Sequence, residues 1–134
     1  MQKKIYIAGC GGMLGLAFYE EFKSKFNLKC TDKDVNETWL SYLDFRSFDE
    51  YLKDVKEFNP DYLFHLGAYT DLEFCEKNSD DTYLTNTTSV ENAVFISNTL
   101  NIPLLYISTA GIFDGQQELY DDWDVPNPLG VYAR

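Results

Sequence analysis

The sequence has no apolar run long enough to cross a bilayer, and Met1–Lys4 leads directly into a short strand-like segment without a signal-peptide pattern. It has only three cysteines, Cys10, Cys30 and Cys75, and none of them forms a CxxC pair. Such a set excludes a disulfide framework and a zinc site of the usual spacing. We therefore predict a soluble, cytoplasmic protein with reduced thiols.

Basic residues are also scarce. The chain has 11 Lys and Arg against 22 Asp and Glu, a net charge of −11. This negative net charge argues against a protein that binds a phosphate backbone electrostatically, so we expect neither a nucleic-acid nor a membrane partner. With 134 residues, 45% of them hydrophobic, the chain has enough apolar material for the core of one domain.

Short apolar segments alternate with longer segments of helical pattern. Strands are predicted at Lys4–Ala8, Leu28–Thr31, Tyr62–Leu66 and Leu104–Ser108. Strand–helix alternation with crossover-length linkers is typical of a parallel sheet covered on both faces. We therefore predict an α/β fold, a Rossmann-like doubly wound parallel sheet with about four strands. The single histidine, His65, is interpreted as a packed strand residue, because no companion metal ligands surround it in the sequence.

Helices are predicted between these strands. Leu14, Phe18, Phe22 and Phe26 recur every four residues and mark the first helix. Ser47–Glu50 matches a capping box that begins the second, and Asn59-Pro60 ends it. The remaining segments are predicted to be a loop at 34–43, a long helix at 80–100 and the start of another helix at 127–134.

Three glycines, Gly9, Gly12 and Gly15, form a G-x-x-G-x-x-G pattern between the first strand and the first helix. In a dinucleotide-binding loop the first glycine permits a sharp turn, the second lets the backbone approach a diphosphate, and the third allows close helix packing. The free N–H groups of the helix then face the phosphates. The pattern favours a dinucleotide loop over an ordinary tight turn, because it lies between a strand and a patterned helix.

Asp32 ends the second predicted strand, 23 residues after Gly9. A carboxylate there can accept hydrogen bonds from both hydroxyls of an adenosine ribose, although a turn aspartate is the ordinary alternative. Lys33 follows it and could pair with a 2′-phosphate. The coenzyme, NAD or NADP, therefore stays open.

Several stretches together resemble the extended short-chain dehydrogenases/reductases, and within them the dTDP-4-dehydrorhamnose reductases. The matching stretches are AGCGGMLG (8–15), LDF (43–45), HLGAYTD (65–71), NTTSVENA (86–93), YISTAGIFDG (106–115) and NPLGVY (127–132). They follow the family order along essentially the whole chain. The resemblance implies an NAD(P)-binding Rossmann domain at 1–134.

The resemblance also implies a cofactor site beyond Gly9, Gly12, Gly15 and Asp32. Its other members are Gly11, Met13 and Leu14 in the loop, Asp44 and Phe45 beside the adenine, and Gly67 and Ala68 at the end of the third predicted strand.

The catalytic residues implied by the resemblance are Thr109 and Tyr132, the latter as the tyrosine of Y-x-x-x-K. The implied reaction is NAD(P)H-dependent reduction of a 4-keto nucleotide sugar. In that chemistry a tyrosine supplies the proton and a threonine holds the carbonyl oxygen. The lysine position lies beyond Arg134, and Arg134 itself is on the wrong side of a helix turn to replace it.

The sequence stops inside a predicted helix without a capping signal, so we expect a fragment that lacks the final strands and the C-terminal substrate-binding part. Such a fragment would keep nucleotide-binding groups and be inactive alone. A homodimer is one assembly that the resemblance allows.

Three other functions remain open. An epimerase or dehydratase would use the same scaffold and the same tyrosine. A non-catalytic regulatory relative would keep the fold and lose the chemistry. A methyltransferase that uses S-adenosylmethionine also has a glycine loop and an acidic residue after its second strand, but methyl transfer needs neither Thr109 nor Tyr132.

Overall fold

The computed structural model describes residues Met1 to Arg134 and contains one five-stranded sheet in which all strands are parallel. The strands are β1 (Lys4–Ala8), β2 (Asn27–Asp32), β3 (Leu40–Tyr42), β4 (Tyr62–His65) and β5 (Leu104–Tyr106). Their order across the sheet is β3-β2-β1-β4-β5. The direction of winding reverses between β1 and β4, and in open α/β sheets ligands bind beyond the carboxyl ends of the strands at such a point.

Helical segments connect the strands. They are α1 (Met13–Phe22), α2 (Phe48–Phe58), α3 (Leu72–Lys77), α4 (Ser79–Tyr83), a π-helical turn (Leu84–Thr88), α5 (Ser89–Leu100) and two short 3₁₀ turns (Ala110–Ile112 and Val131–Ala133). None of these helices is both long and apolar enough to traverse a bilayer.

Helices cover both faces of the sheet. On one face, Tyr51 and Val55 of α2 and Ile96 of α5 pack with β-sheet residues in a buried cluster. On the other face, Phe18 and Phe22 of α1 pack against a second cluster built on β1 and β2. The predicted Rossmann-like, doubly wound α/β fold is confirmed.

The sequence prediction missed β3, which lies inside the segment predicted to be a loop. Leu40, Ser41 and Tyr42 pair in parallel with Cys30–Asp32 of β2. The pattern failed because only Leu40 is buried in this short edge strand, whereas Ser41 and Tyr42 are exposed. The sheet therefore has five strands and not about four.

The predicted helix at 80–100 is not continuous. It is divided into α4, the π-helical turn and α5, so that the hydrogen-bonding pattern changes at Leu84. Within the segment 127–134, predicted to start another helix, only Val131–Ala133 is helical, as a 3₁₀ turn.

The capping box correctly predicted where α2 begins, but the hydrogen bond predicted from the Ser47 side chain is not formed. Ser47 is the N-cap residue of α2, yet its side chain makes no capping hydrogen bond. Asp49 and Glu50 lie in the first turn, where negative charge stabilises the helix dipole. The helix ends as predicted before Pro60, at Asn59 with a φ of 52°.

Candidate functional site

The turn after β1 requires glycine at position 9. Gly9 has a φ of +76°, and a Cβ atom there would lie 2.1 Å from the backbone nitrogen of Gly67. The N–H groups of Gly9 and Cys10 both donate to the carbonyl oxygen of Thr31 at 2.9 Å. The backbone after β1 therefore turns sharply at Gly9 and passes close to the backbone after β4, as predicted for this glycine.

The next two glycines have different surroundings. A Cβ atom on Gly12 would meet nothing within 4 Å, so the backbone faces open space. A Cβ atom on Gly15 would lie 2.2 Å from the carbonyl oxygen of Cys10. Gly15 therefore allows the first turn of α1 to pack on the loop backbone. The first N–H groups of α1, like those of any helix, lack intrahelical acceptors, and no side chain caps them.

Asp32 is anchored at the end of β2 beside the loop. Its Oδ2 accepts a hydrogen bond from the N–H of Gly11 at 2.8 Å, and its Oδ1 accepts one from the N–H of Asp34 at 3.1 Å. A Cβ atom on Gly11 would lie 3.0 Å from this carboxylate. The glycine loop and the acidic residue are therefore one structural unit.

The segment after β4 lies beside the glycine loop and Asp32 and forms a third side of the site. Gly67 is buried, and a Cβ atom there would lie 2.4 Å from the Cζ atom of the Phe45 ring. Phe45 is itself only 4% exposed. The aromatic ring thus needs glycine beneath it, and this contact joins the segment after β3 to the segment after β4.

These parts surround one cavity of about 650 Å³. Of the eleven residues predicted to bind the cofactor, the cavity is lined by Gly9, Gly11, Gly12, Met13, Leu14, Gly15, Asp32, Phe45, Gly67 and Ala68. The structure therefore brings together residues that lie as far apart as positions 9 and 68 in the sequence.

Asp44 is the predicted cofactor residue that does not line this cavity. Its carboxylate accepts hydrogen bonds from Nε and Nη2 of Arg46 at 2.9 and 2.8 Å. The guanidinium of Arg46 holds the pKa of the Asp44 carboxyl below its usual value. The Nη1 of Arg46 also donates to Asp81 at 2.9 Å, so this cluster ties the segment after β3 to α4.

The two predicted catalytic residues, Thr109 and Tyr132, both line a second cavity of about 370 Å³. Tyr132 also lines the first cavity, as do Ile107 and Ser108. The two cavities therefore meet at the end of β5. The Thr109 Oγ1 accepts a hydrogen bond from the N–H of Gly111 at 3.1 Å, which orients the hydroxyl in the second cavity.

Two positioning residues were not predicted from the sequence. The Asn86 side chain accepts from the N–H of Tyr69 at 2.8 Å and donates to its carbonyl oxygen at 2.9 Å. The Glu76 carboxylate accepts from the N–H of Val131 at 2.6 Å, beside Tyr132. Asn86 lies in a stretch that carries the family resemblance, but Glu76 has no local signal because its partner is 55 positions away.

His65 lies beneath the site in a fully buried network. Its Nε2 is 3.0 Å from the Ser89 hydroxyl, which donates its own proton to the Thr85 carbonyl oxygen. Nε2 must therefore donate, and Nδ1 accepts from the Tyr51 hydroxyl at 3.1 Å. Burial lowers the pKa of His65 to about 4. The prediction of a packed strand histidine is confirmed, and no cluster of metal ligands exists in the chain.

The strand order, the glycine turn and the cavity at the winding reversal define a Rossmann-like α/β domain, the fold in which many proteins bind dinucleotides. Within that class, the chain belongs to the family described as the RmlD substrate binding domain, whose model matches residues 3–134.

Solved structures of similar proteins share this fold. The dTDP-4-dehydrorhamnose reductase of Bacillus anthracis, crystallised in complex with NADP, is 29% identical with a TM-score of 0.89, over 99% of this chain and 46% of that one. A dTDP-4-dehydrorhamnose reductase from Clostridium acetobutylicum is 26% identical with a TM-score of 0.87, over 97% of this chain and 45% of that one.

Two of the curated relatives carry names that indicate different functions, one a reductase and the other a subunit of a transferase. The probable low-salt glycan biosynthesis reductase Agl14 of Haloferax volcanii is 22% identical over 96% of this chain and 45% of its own length. Methionine adenosyltransferase 2 subunit beta of Xenopus tropicalis is 29% identical over 98% of this chain and 40% of its own length. The chain thus spans less than half the length of these relatives.

Proposed function

We propose that residues 1–134 form an NAD(P)-binding domain and that the whole protein reduces a 4-keto nucleotide sugar. The observation that carries this proposal is the open space in front of Gly12, in a cavity that reaches Tyr132. The reductases of similar structure and the bound NADP in one of them support it.

The residues around the cavity fit a dinucleotide. The backbone near Gly12 and the free N–H groups at the start of α1 suit a diphosphate, because they offer donors at the positive end of a helix dipole. Asp32 presents carboxylate oxygens to the ribose, and Gly67 and Ala68 leave room for the other half of the molecule.

Thr109 and Tyr132 would act at the junction of the two cavities. The coenzyme supplies a hydride to the carbonyl carbon when it is bound. The Thr109 hydroxyl would hold the carbonyl oxygen, and the Tyr132 phenol would donate its proton to the same oxygen as negative charge develops there. The product is then a neutral alcohol and the tyrosine is left as phenolate, which solvent reprotonates.

One further function has support from a relative. Methionine adenosyltransferase 2 subunit beta is named as a subunit, and its identity to this chain is 29%. A regulatory relative would bind the dinucleotide in the same cavity without turning over a sugar. In the whole protein, NADH consumption that depends on a 4-keto nucleotide sugar would support the reductase, whereas binding without consumption would support the regulatory protein.

We expect a Gly12→Ala variant to bind NAD(P)H about tenfold more weakly, because the added methyl group occupies the space that a diphosphate needs. Its stability should stay within about 0.5 kcal/mol of the wild type, since the new Cβ atom meets no protein atom within 4 Å. Calorimetric titration and thermal unfolding measure the two effects.

The same titration with NADH, NADPH and S-adenosylmethionine tests the class of ligand. Binding of either nicotinamide coenzyme by the wild type, and weaker binding by Gly12→Ala, would support the proposal. Binding of S-adenosylmethionine alone would refute it.

A further inference from the structure

The short turn that carries Tyr132 is weakly stabilised by its own hydrogen bonds. It is a 3₁₀ turn over Val131–Ala133, in which the N–H groups of Ala133 and Arg134 donate to backbone carbonyl oxygens at 3.3 Å, longer than usual. Gly130 precedes the turn and has no side chain to cap it. A single 3₁₀ turn with long hydrogen bonds does not by itself fix the direction of the Tyr132 side chain.

The cap of this turn comes from α3. The Glu76 Oε1 accepts the N–H of Val131 at 2.6 Å, across 55 positions of the sequence. A carboxylate that accepts a backbone N–H at the start of a helical turn makes a charge-assisted hydrogen bond, which is stronger than a neutral one. The contact with Glu76 is therefore the shortest and strongest hydrogen bond of the turn.

Gly130 leaves the space that this carboxylate occupies. A Cβ atom there would lie 2.9 Å from the Glu76 Oε1, and it would meet no other atom within 4 Å outside the neighbouring residues. The backbone of Gly130 is extended, with φ −107° and ψ 166°, a conformation that any residue adopts. The lack of a side chain at position 130 thus serves the contact with Glu76 and not the backbone geometry.

The helix that carries Glu76 is fixed beside the first cavity. Thr70 lines that cavity, and the next residue, Asp71, caps the start of α3 with its side chain. Cys75, the residue before Glu76, is fully buried. Glu76 itself lines neither cavity, so it does not face a ligand. Its carboxylate therefore connects an anchored helix to the turn of the predicted proton donor.

We propose that Glu76 is a positioning residue for Tyr132. Its carboxylate caps the turn from a distant helix and holds the phenol at the junction of the two cavities, where the proton is donated. The inference rests on the proposed function and identifies what places its proton donor. Loss of the contact should lower the rate of the reaction and leave coenzyme binding unchanged, because Glu76 touches neither ligand.

Steady-state kinetics of the whole protein test this role, with dTDP-4-dehydrorhamnose and with NADH or NADPH, whichever the wild type binds more tightly. We expect Glu76→Ala to lower kcat about tenfold or more, since a misplaced donor transfers its proton poorly. The coenzyme Kd should stay within about twofold, which also shows that the variant is folded. Glu76→Gln keeps an oxygen that can accept the Val131 N–H, and its kcat should return to within about threefold of the wild type.

Glu73→Ala is the matched control. It removes a carboxylate from the same helix, but this carboxylate pairs with Lys77 and not with the turn. Its kcat should equal that of the wild type.

Gly130→Ala disturbs the same contact from the other side. The new Cβ atom displaces the Glu76 carboxylate, so kcat should fall about as far as in Glu76→Ala. In the double variant the methyl group meets no carboxylate, and we expect no loss beyond that of Glu76→Ala. Losses that multiply in the double variant would show that the two residues act independently and would contradict the proposal.

Hydrogen exchange in the 134-residue chain tests the contact without activity. The Val131 amide should exchange about tenfold faster in Glu76→Ala than in the wild type, and equal rates would overturn the contact. A wild-type kcat in Glu76→Ala, an equal loss in Glu73→Ala or no recovery in Glu76→Gln would overturn the role of Glu76 and leave the proposed function intact. If the wild-type protein binds the coenzyme but does not oxidise it with the sugar, the proposed function fails, and the role of Glu76 fails with it.

Discussion

Replacement of Gly9 by alanine should destabilise the domain by roughly 2–5 kcal/mol and abolish coenzyme binding. Two costs add at this position. A left-handed backbone conformation, here a φ of +76°, is unfavourable for any residue with a Cβ atom. The new atom would also lie 2.1 Å from the nitrogen and 2.2 Å from the Cα of Gly67, which is backbone and cannot rotate away.

Chemical denaturation with calorimetric titration measures both effects, and Gly115→Ala is the matched control. Gly115 has a nearly identical φ of +74°, but a Cβ atom there would meet nothing within 4 Å. Its replacement should cost only the backbone strain, about 1 kcal/mol, with coenzyme affinity unchanged. Equal losses at the two positions would show that the approach of Gly67 does not restrict the turn.

The buried histidine should make stability depend on pH. Burial lowers the pKa of His65 to about 4 in the folded protein, whereas an unfolded histidine titrates near 6.5. Below the unfolded value, the unfolded chain binds a proton that the folded chain excludes. The contribution is therefore complete above pH 6.5 and is lost as the pH falls toward 4, a total of about 3 kcal/mol.

The free energy of unfolding, measured between pH 7 and pH 4 for the wild type and for His65→Gln, checks this effect. Both proteins share the same carboxylates, so the difference between the two curves isolates the histidine. We expect the wild type to lose about 3 kcal/mol more than the variant across that range. Parallel curves would mean that His65 protonates in the folded state without cost.

The success of the fold prediction has a physical reason. The sequence directly displays several local patterns. These are the strand–helix alternation, the four-residue spacing of Phe18 and Phe22, and the helix end at Asn59-Pro60. The short edge strand β3 could not be found in this way, since one buried residue, Leu40, carries no periodicity. Its formation depends on pairing with β2, which is a contact between distant segments.

The same distinction between local patterns and contacts of distant segments applies to the site. The spacing of the glycines and the position of Asp32 predicted the loop side of the cavity, because a nucleotide loop is built from consecutive residues, whereas Phe45, Gly67 and Ala68 were predicted only from the family resemblance. The ion pair of Asp44 with Arg46 was not predicted from the sequence. Its partner Arg46 is also bound by Asp81, 35 positions further on in the chain.

By itself, the sequence determined four of the five strands, their parallel arrangement and the glycine loop, since these depend on residue spacing within a few turns of chain. Tertiary structure alone decided that Gly67 closes against Gly9, that Asn86 holds Tyr69, and that His65 is neutral. Those outcomes depend on which distant backbone and side-chain groups share a buried volume, because close packing and desolvation act through space.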